Sequence, residues 1–432
     1  MNKAEKIIEK ASKYLITSMV TKIQPVVISE AKNAIIKDVQ GKEYVDFFAG
    51  ISVVNAGHGQ PEIVTAAIEQ ARRLVHACTY VYYIPTTIEL AEKLAEITPK
   101  SLQKTFFGCS GAEAIECALK LARKYTKKYE LISLMGSFHG RTLGTLSITG
   151  QSGRKKYDMG PYLAGTSFVY PPYCYRCPFE KEYPECEVLC ARSIKDTINY
   201  STSGGVAAFI AEPILGEGGI IPPPPEYFRI IKEILSKRNI LFIADEVQSG
   251  FGRTGKLFAI EHYGVEPDIM TVAKGIANGF PISACIAQDE IGDAFEPGDH
   301  LSTFGGNPVS AAAALANIDF IMRESLFEKA AEKGKYIMNR LKEMKEAHDI
   351  IGDIRGKGLM IGVELVKDQK RKTPAREITD RIRDRAREKG LLIGSGGIMG
   401  CVLRIQPPLT IEKELIDRAL DILDGVFRDI QS

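Results

Sequence analysis

One lysine, Lys274, ends the apolar run DIMTVAK and is followed by small residues such as Gly275 and Gly279. A lysine is rarely buried without a partner, because taking an ammonium group out of water is costly. That cost disappears when the amine condenses with an aldehyde, and small neighbours leave room for the ring that carries the aldehyde. The segment therefore predicts a lysine that forms a carbon–nitrogen double bond.

Polar and aromatic side chains follow other apolar runs of strand-like length. Asp245 follows NILFIA, and Glu212 follows GVAAFIA. Phe138 and His139 come shortly after LISLMG. A single strand-end carboxylate is most often a helix cap or a solvated group. The carboxyl ends of parallel strands meet at one edge of a sheet, however, so these side chains and Lys274 together favour a functional site there.

A helix is predicted to begin at Ser110-Gly111-Ala112, in the segment SGAEAIECALKLA. The unpaired N–H groups of a first helical turn, together with the helix dipole, bind anions such as phosphate. Ser110 followed three residues later by Glu113 also forms a plain capping box, and alone the two interpretations are equally good. The lysine and the aspartate predicted on neighbouring strands favour the phosphate site.

These features match the requirements of one cofactor, pyridoxal 5′-phosphate (PLP). PLP needs a lysine for its aldehyde, a carboxylate for its ring nitrogen, a phosphate cup and a flat apolar wall. The sequence offers, in that order, Lys274, Asp245, Ser110-Gly111-Ala112 and Phe138. We therefore predict a PLP site.

A competing motif, GFGRTGKL at residues 250–257, matches the spacing of a nucleotide-binding phosphate loop except at its last position. Leu257 stands where a Ser or Thr hydroxyl would bind magnesium. The motif also follows the acidic strand FIADE after four residues, whereas nucleoside triphosphatases place the loop first and on a different strand. The pattern argues against an ATPase.

The charge balance gives no reason to expect a polyanionic partner. The 432 residues include 56 basic and 54 acidic ones, a formal net charge of +2, so neither nucleic acid nor an anionic membrane is favoured. The N-terminus MNKAEKIIEKASKYLI is a charged amphipathic helix pattern rather than a signal peptide. No apolar run approaches the roughly 18 residues of a membrane span. We predict a soluble, cytoplasmic protein.

Helical and strand-like segments alternate through the middle of the chain, from residue 61 to residue 322. Short runs such as GVAAFIAEP and NILFIADE suit strands buried on both faces, and the helices between them are amphipathic. This pattern predicts an α/β fold with a mostly parallel central sheet. Residues 323–432 read as an α+β portion, and residues 1–60 contain a hairpin that is expected to pack with it. We predict one large domain and one smaller domain built from both termini.

Several longer motifs resemble those of one enzyme family, between Gly41 and Leu409. They include GKEYVDFFAGISVVNAGHGQPE, GSFHGRTLG, AEPILGEGG, FIADEVQSGFGRTGKLFAIEH, TVAKGIANGFPISA and STFGGNPVSAAAA, in the family's order. The chain resembles a class III, or ω-amino acid, aminotransferase of PLP fold type I.

The resemblance implies roles for individual residues around the cofactor. Lys274 would bind the aldehyde and carry the proton during catalysis, and Asp245 would keep the ring nitrogen protonated. Thr303 would reach the phosphate of a neighbouring subunit, so the resemblance implies a homodimer with shared active sites that could assemble further. The remaining cofactor contacts implied are those of Ser110, Gly111, Ala112, Phe138, His139, Val247 and Gln248.

For the substrate, the resemblance is greatest to 4-aminobutyrate aminotransferases. It implies that Arg404 binds the carboxylate of 2-oxoglutarate or glutamate and that Glu212 neutralises this arginine when an ω-amino donor is bound. Ile51 and Arg141 match positions at the far end of the donor site, although a structural ion pair explains Arg141 nearly as well. The implied substrates are an amino acid and a 2-oxo acid, and the implied products are a semialdehyde and glutamate.

Other activities share this core and stay open. They are the ornithine, acetylornithine, β-alanine, lysine and diaminobutyrate aminotransferases, and PLP-dependent amino-acid racemases or epimerases. A cluster of cysteines, Cys174, Cys177, Cys186 and Cys190, has spacing only loosely like that of a metal site. Reduced thiols or disulfides explain this cluster equally well, and we predict no metal.

Overall fold

The computed structural model describes residues 2–16, 18, 23–151 and 159–431. The α-helices are α1 Lys3–Tyr14, α2 Ala49–Ser52, α3 Pro61–Arg73, α4 Pro85–Ile97, α5 Gly111–Thr126, α6 Leu143–Ile148, α7 Leu189–Arg192, α8 Ile194–Tyr200, α9 Tyr227–Ser236, α10 Asp289–Gly292, α11 Pro308–Arg323, α12 Leu326–Ala347, α13 Arg376–Glu388 and α14 Lys413–Gln431. Short 3₁₀ turns occur at Cys174–Arg176, Ala259–Tyr263 and Lys274–Ile276.

The strands are β1 Ile28–Lys32, β2 Ile35–Asp38, β3 Glu43–Asp46, β4 Leu102–Gly108, β5 Glu130–Leu134, β6 Thr166–Val169, β7 Val206–Ala211, β8 Leu241–Asp245, β9 Ile269–Val272, β10 Ser283–Gln288, β11 Ile351–Lys357, β12 Met360–Leu365, β13 Leu391–Leu392, β14 Gly394–Gly396 and β15 Val402–Ile405. No helix in the described ranges is long and apolar enough to span a membrane.

The central sheet contains seven strands among the described residues, in the order β4-β10-β9-β8-β7-β5-β6. Strands β6, β5, β7, β8 and β9 pair in parallel, and β10 is antiparallel to both β9 and β4. Every residue of β7 and β9 is buried, as expected for strands covered by helices on both faces. The predicted α/β fold with a mostly parallel sheet is confirmed.

Two smaller sheets flank this core. The sheet β1-β2-β3-β13 joins the two ends of the chain, because Val45 of β3 pairs with Leu391 of β13. The sheet β11-β12-β15-β14 is formed by the C-terminal region, and its strand β15 carries Arg404. The domain boundaries given above stay a prediction.

The motif at residues 250–257 serves the fold. Arg253 is fully buried and donates hydrogen bonds to the carbonyl oxygens of Leu359 and Pro407 at 3.1 and 2.5 Å. It also donates to Asn55 Oδ1 at 2.6 Å. Burial lowers the pKa of Arg253 to about 9. The guanidinium thus joins backbone segments from distant parts of the chain, which explains this glycine-rich segment without a bound nucleotide.

Candidate active site

A cavity of about 310 Å³ opens at the carboxyl ends of the parallel strands. Its lining includes most of the predicted site residues: Ser110, Gly111, Ala112, Phe138, His139, Glu212, Asp245, Val247, Gln248 and Lys274. The volume lies in the usual range for small-molecule sites. Four other predicted site residues, Ile51, Arg141, Thr303 and Arg404, are not part of this lining.

Lys274 follows β9 and adopts a left-handed backbone conformation, with φ of 42°. A Cβ atom on the next residue, Gly275, would lie 2.5 Å from Asn55 Nδ2, so only glycine fits there. Burial lowers the pKa of Lys274, while the carboxylates of Glu217, Asp245 and Glu212 oppose this shift. A lowered pKa increases the fraction of neutral amine, which is the nucleophilic form.

Asp245 ends β8, next to the strand that carries Lys274. Its Oδ2 lies 2.7 Å from Nδ1 of the buried His139, and its Oδ1 accepts a hydrogen bond from the Val247 N–H at 3.1 Å. Both carboxylate oxygens are therefore held in place inside the cavity. Such a fixed carboxylate can keep a ring nitrogen protonated. The other ring nitrogen of His139, Nε2, is buried and has no hydrogen-bond partner in the described part of the chain.

The predicted anion site lies at the start of α5. Ser110 caps the helix by accepting a hydrogen bond from the Glu113 N–H, so the capping interpretation is correct for this side chain. Gly111 and Ala112 line the cavity. A Cβ atom at Gly111 would approach Val247 Cγ1 to 2.8 Å. The helix N-terminus therefore comes close to the segment after Asp245, where it can bind a phosphate group.

Arg404 forms a different ion pair from the predicted one. Its Nη1 donates to Glu217 Oε1 at 2.5 Å, and its Nη2 donates to Gln248 Oε1 at 3.2 Å. Glu212 does not pair with Arg404 in this structure, because both of its oxygens accept hydrogen bonds from backbone N–H groups, those of Phe138 and Gly216. Its predicted pairing with Arg404 in the presence of an ω-amino donor stays a prediction. The short loop after β7 reverses direction and brings Glu217, five residues later, to the arginine.

Glu217 is thus the site residue that sequence reasoning missed. It stands in the motif AEPILGEGG, which contains two glutamates, and the spacing alone does not say which one reaches Arg404. Apolar lining residues were missed as well, including Val53, Phe280 and Ile282. Their side chains carry no chemical signal in the sequence.

Ile51 belongs to a strained turn beside the Arg404 pair. Residues 49–52 all have positive φ, between 48° and 69°, a conformation that costs each non-glycine residue roughly 1 kcal/mol or more. Asp46 Oδ1 supports the turn by accepting hydrogen bonds from the Phe48 and Ala49 N–H groups at 2.8 and 2.9 Å. The Phe48 ring lies 5.4 Å from the Arg404 guanidinium. Ile51 itself is 41% exposed.

Two other predicted residues lie outside the cavity. The guanidinium of Arg141 lies 5.7 Å from the centre of the Phe138 ring, a cation–π contact at the edge of the site. Thr303 is exposed, on the segment that follows Leu301. Its predicted contact with the phosphate of a second subunit stays a prediction.

The cysteine segment contains no metal-binding arrangement in the part of the chain that the structure describes, where no group of three or more His, Cys, Asp or Glu residues could hold an ion. The four cysteines line a small cavity of their own, away from the site above. Burial raises the pKa of Cys190 to about 12, so this thiol stays protonated at neutral pH.

Comparison with known proteins identifies the family. Residues 17–427 match the family described as aminotransferase class-III. The chain belongs to the class III aminotransferases. Among the relatives of this class III protein, a leucine/methionine racemase of Thermococcus litoralis is 45% identical over 99% of this chain and 96% of that protein. An acetylornithine aminotransferase of Methanothermobacter thermautotrophicus is 42% identical over 99% of this chain and 100% of that protein.

Solved structures agree with this membership. An aminotransferase from Bacillus anthracis superposes with a TM-score of 0.93 at 35% identity, over 99% of this chain and 100% of that chain. A PLP-bound amine transaminase from an uncultivated Pseudomonas species superposes with a TM-score of 0.91 at 31% identity, over 96% and 98% of the two chains.

Class III aminotransferases use PLP, and the residues present here fit this cofactor. Lys274 supplies an amine of lowered pKa, Asp245 a fixed carboxylate, and Gly111 a helix N-terminus on which a larger residue would clash. The expected likeness to 4-aminobutyrate aminotransferases is not supported, because the relatives above are a racemase and an acetylornithine aminotransferase.

Proposed function

We propose that this class III enzyme is a PLP-dependent racemase or epimerase of α-amino acids with apolar side chains. The observation that carries the proposal is the position of Glu217, which is paired with Arg404 and close enough to Lys274 for its charge to raise the pKa of the lysine. Of the charged groups that shift the pKa of Lys274, Glu217 has the largest effect, and it raises that pKa. An α-carbon can be inverted by two groups that carry a proton, one on each side, and a second carboxylate near the lysine can serve as one of them. The whole-length similarity to a leucine/methionine racemase supports the same activity.

Each polar group of the site then has a distinct task. PLP, when bound, supplies the electron sink that makes the α-proton of an amino acid acidic. Lys274 Nζ takes this proton, while Asp245 holds the proton of the ring nitrogen. Glu212 is bound to two backbone N–H groups and Asp245 to His139. Glu217 is held by Arg404. We assign to it the return of a proton to the opposite side, once it has left the arginine and taken up a proton from solvent.

The substrate carboxylate is expected to bind Arg404. This guanidinium is 1% exposed, and an amino-acid carboxylate can replace Glu217 as its partner. The exchange releases Glu217 for proton transfer at the moment the substrate arrives. Val53, Phe280 and Ile282 line the same cavity and offer apolar contacts to the side chain.

A second candidate function is amino transfer from an acetylornithine-like donor to 2-oxoglutarate. The acetylornithine aminotransferase relative favours it, and an arginine that can exchange carboxylates suits two successive substrates. The two functions share Lys274 and Asp245. They differ in where the amine of the substrate ends: amino transfer leaves it on the cofactor, and racemisation returns it with the amino acid.

One experiment separates them. The PLP-loaded enzyme is incubated with a panel of L-amino acids that includes leucine, methionine and N-acetylornithine, with and without 2-oxoglutarate. Chiral chromatography measures the D-enantiomers, and a glutamate assay measures transfer. We expect D-leucine or D-methionine to form without 2-oxoglutarate. Glutamate formation without any D-enantiomer would replace the first proposal by the second, and absence of both products would refute each.

We also propose a homodimer. The exposed Thr303 lies between Leu301, which is 57% exposed, and Phe304, which is 62% exposed. Exposed apolar side chains in one segment are typical of an interface. Light scattering should give twice the chain mass, and Phe304→Glu should shift it towards the monomer. A monomeric parent protein would refute this assembly. The cytoplasmic location stays a prediction.

A further inference from the structure

Glu212 directly follows β7 and uses both of its carboxylate oxygens to bind backbone. Its Oε1 accepts a hydrogen bond from the Phe138 N–H at 2.9 Å, and its Oε2 accepts one from the Gly216 N–H at 2.8 Å. Phe138 follows β5, and Gly216 belongs to the loop after β7. One side chain therefore connects two loops that enter the cavity from neighbouring strands.

These two loops carry different parts of the site. Phe138 lines the cavity and supplies the flat wall expected for the cofactor ring. Gly216 precedes Glu217, the partner of Arg404. A Cβ atom at position 216 would lie 2.3 Å from Gln248 Oε1, so this loop packs directly against the residue that also contacts Arg404. Movement of either loop would alter the other through Glu212.

Keeping this carboxylate in the interior is costly. Glu212 is 5% exposed, and among the described residues no cation lies within ion-pair distance of it. Burial raises its pKa to about 7; the nearby His139 lowers the pKa, and Asp245 raises it further. Buried carboxylates without a cationic partner are rare, because desolvation is not compensated by charge pairing. The two backbone hydrogen bonds are the compensation that the fold provides.

We propose that Glu212 is a positioning residue that holds the Phe138 wall and the Glu217 loop in one arrangement, so that cofactor binding and carboxylate recognition depend on the same side chain. The first half of this proposal concerns the cofactor alone. The second half rests on the proposed function, in which Arg404 and Glu217 receive the substrate.

The chain offers a closely matched control. Glu246, which follows β8, is also fully buried, and burial raises its pKa to about 7 as well. Its oxygens accept hydrogen bonds from Ser249 Oγ at 2.5 Å and from the Ile260 N–H at 2.7 Å. It does not line the cavity. Glu246→Gln therefore removes a similarly buried carboxylate without touching either loop.

Glu212→Gln is the test variant. An amide has one acceptor oxygen and a donor NH₂ group, so in either orientation it leaves one of the two backbone N–H groups facing a donor. The dissociation constant of PLP is measured by titrating the apoenzyme, and the near-visible circular dichroism of the bound cofactor reports how the ring is held. For Glu212→Gln we expect affinity for PLP about tenfold weaker and a diminished dichroism band. Glu246→Gln should leave both at the level of the parent enzyme.

Two results would overturn the proposal. The first is parent-like PLP affinity and dichroism in Glu212→Gln, and the second is an equal loss in Glu246→Gln. If Glu212→Gln does not fold, Glu212→Asp keeps the charge but shortens the reach, and the same readouts apply. For the second half, KM for the amino acid that is turned over should rise more than kcat falls. Because PLP binding is measured without any substrate, failure of the proposed racemase activity would leave the first half intact.

Discussion

The substitution Glu217→Gln tests the assignment of two proton carriers. In the structure, the Glu217 carboxylate accepts a hydrogen bond from Arg404 at 2.5 Å. Glutamine has nearly the same shape, and its carbonyl oxygen can still accept that bond. The variant therefore keeps the arginine in place but removes the ionisable group. We expect two kinetic effects: catalysis becomes slower, and the substrate binds more tightly.

The magnitudes follow from what is lost. A positioned general acid or base contributes about 10²- to 10⁴-fold to the rate, so kcat for racemisation should fall by that factor. The substrate carboxylate must displace Glu217 from Arg404, and a neutral amide competes less strongly than a carboxylate. Hydrogen bonds to charged groups exceed neutral ones by about 1.4 kcal/mol, which corresponds to a KM about tenfold lower.

The assay follows L-leucine or L-methionine in deuterium oxide by NMR and chiral chromatography. In the parent enzyme, exchange of the α-proton and inversion should proceed together. In Glu217→Gln, Lys274 still removes and returns the proton on its own side, so exchange should continue with retention. Glu233→Gln, on the exposed face of α9, is the control and should change neither. Exchange and inversion that decline equally, or a KM that rises, would refute the assignment of Glu217.

Further outcomes are expected from single substitutions. Lys274→Ala should abolish both turnover and the near-visible absorbance of the bound cofactor, and unchanged absorbance on spectrophotometry would contradict its role. Gly111→Ala should weaken PLP binding in an apoenzyme titration, because the added Cβ would lie 2.8 Å from Val247 Cγ1; parent-like affinity would count against the phosphate cup. Burial raises the pKa of Glu246 from 4.5 to about 7, so between these values the folded protein binds more protons than the unfolded chain and loses stability as the pH rises. Chemical denaturation should therefore show Glu246→Gln gaining up to about 3 kcal/mol relative to the parent from acidic to neutral pH, and a gap that does not depend on pH would refute this.

The central strands were predictable because burial on both faces leaves a simple signal. GVAAFIAEP and NILFIADE contain β7 and β8. Strands β4 and β6 were not predicted, and both lie at the edges of the sheet. The segment LQKTFFG of β4 mixes exposed and buried positions, so its apolar content is too low to distinguish it from a loop. The position of a strand in the sheet, rather than the strand propensity of its residues, therefore decided whether it could be predicted.

The candidate site was predictable where one residue type performs one task. Asp245 ends one strand and Lys274 follows the neighbouring parallel strand, so the sequence predicts both at one edge of the sheet. The partner of Arg404 was not predictable, because Glu212 and Glu217 are both carboxylates on one loop. Only the path of the backbone between them decides which one turns towards the arginine and which one binds backbone N–H groups.

The charges around Lys274 affect how this site binds anions. When Lys274 is protonated, two cations are near each other, the lysine and Arg404. They are surrounded by the carboxyl groups of Asp245, Glu212 and Glu217. Burial lowers the pKa of the lysine, and each loss of its proton leaves Arg404 facing these carboxyl groups. The resulting excess of negative charge would help Asp245 to keep the ring nitrogen of the cofactor protonated. Arg404 is the cation available to a further anion, and Glu217 occupies it in this structure. Under the proposed function, a substrate carboxylate would take the place of Glu217 on Arg404, and substrate binding would be the step that frees the second proton carrier.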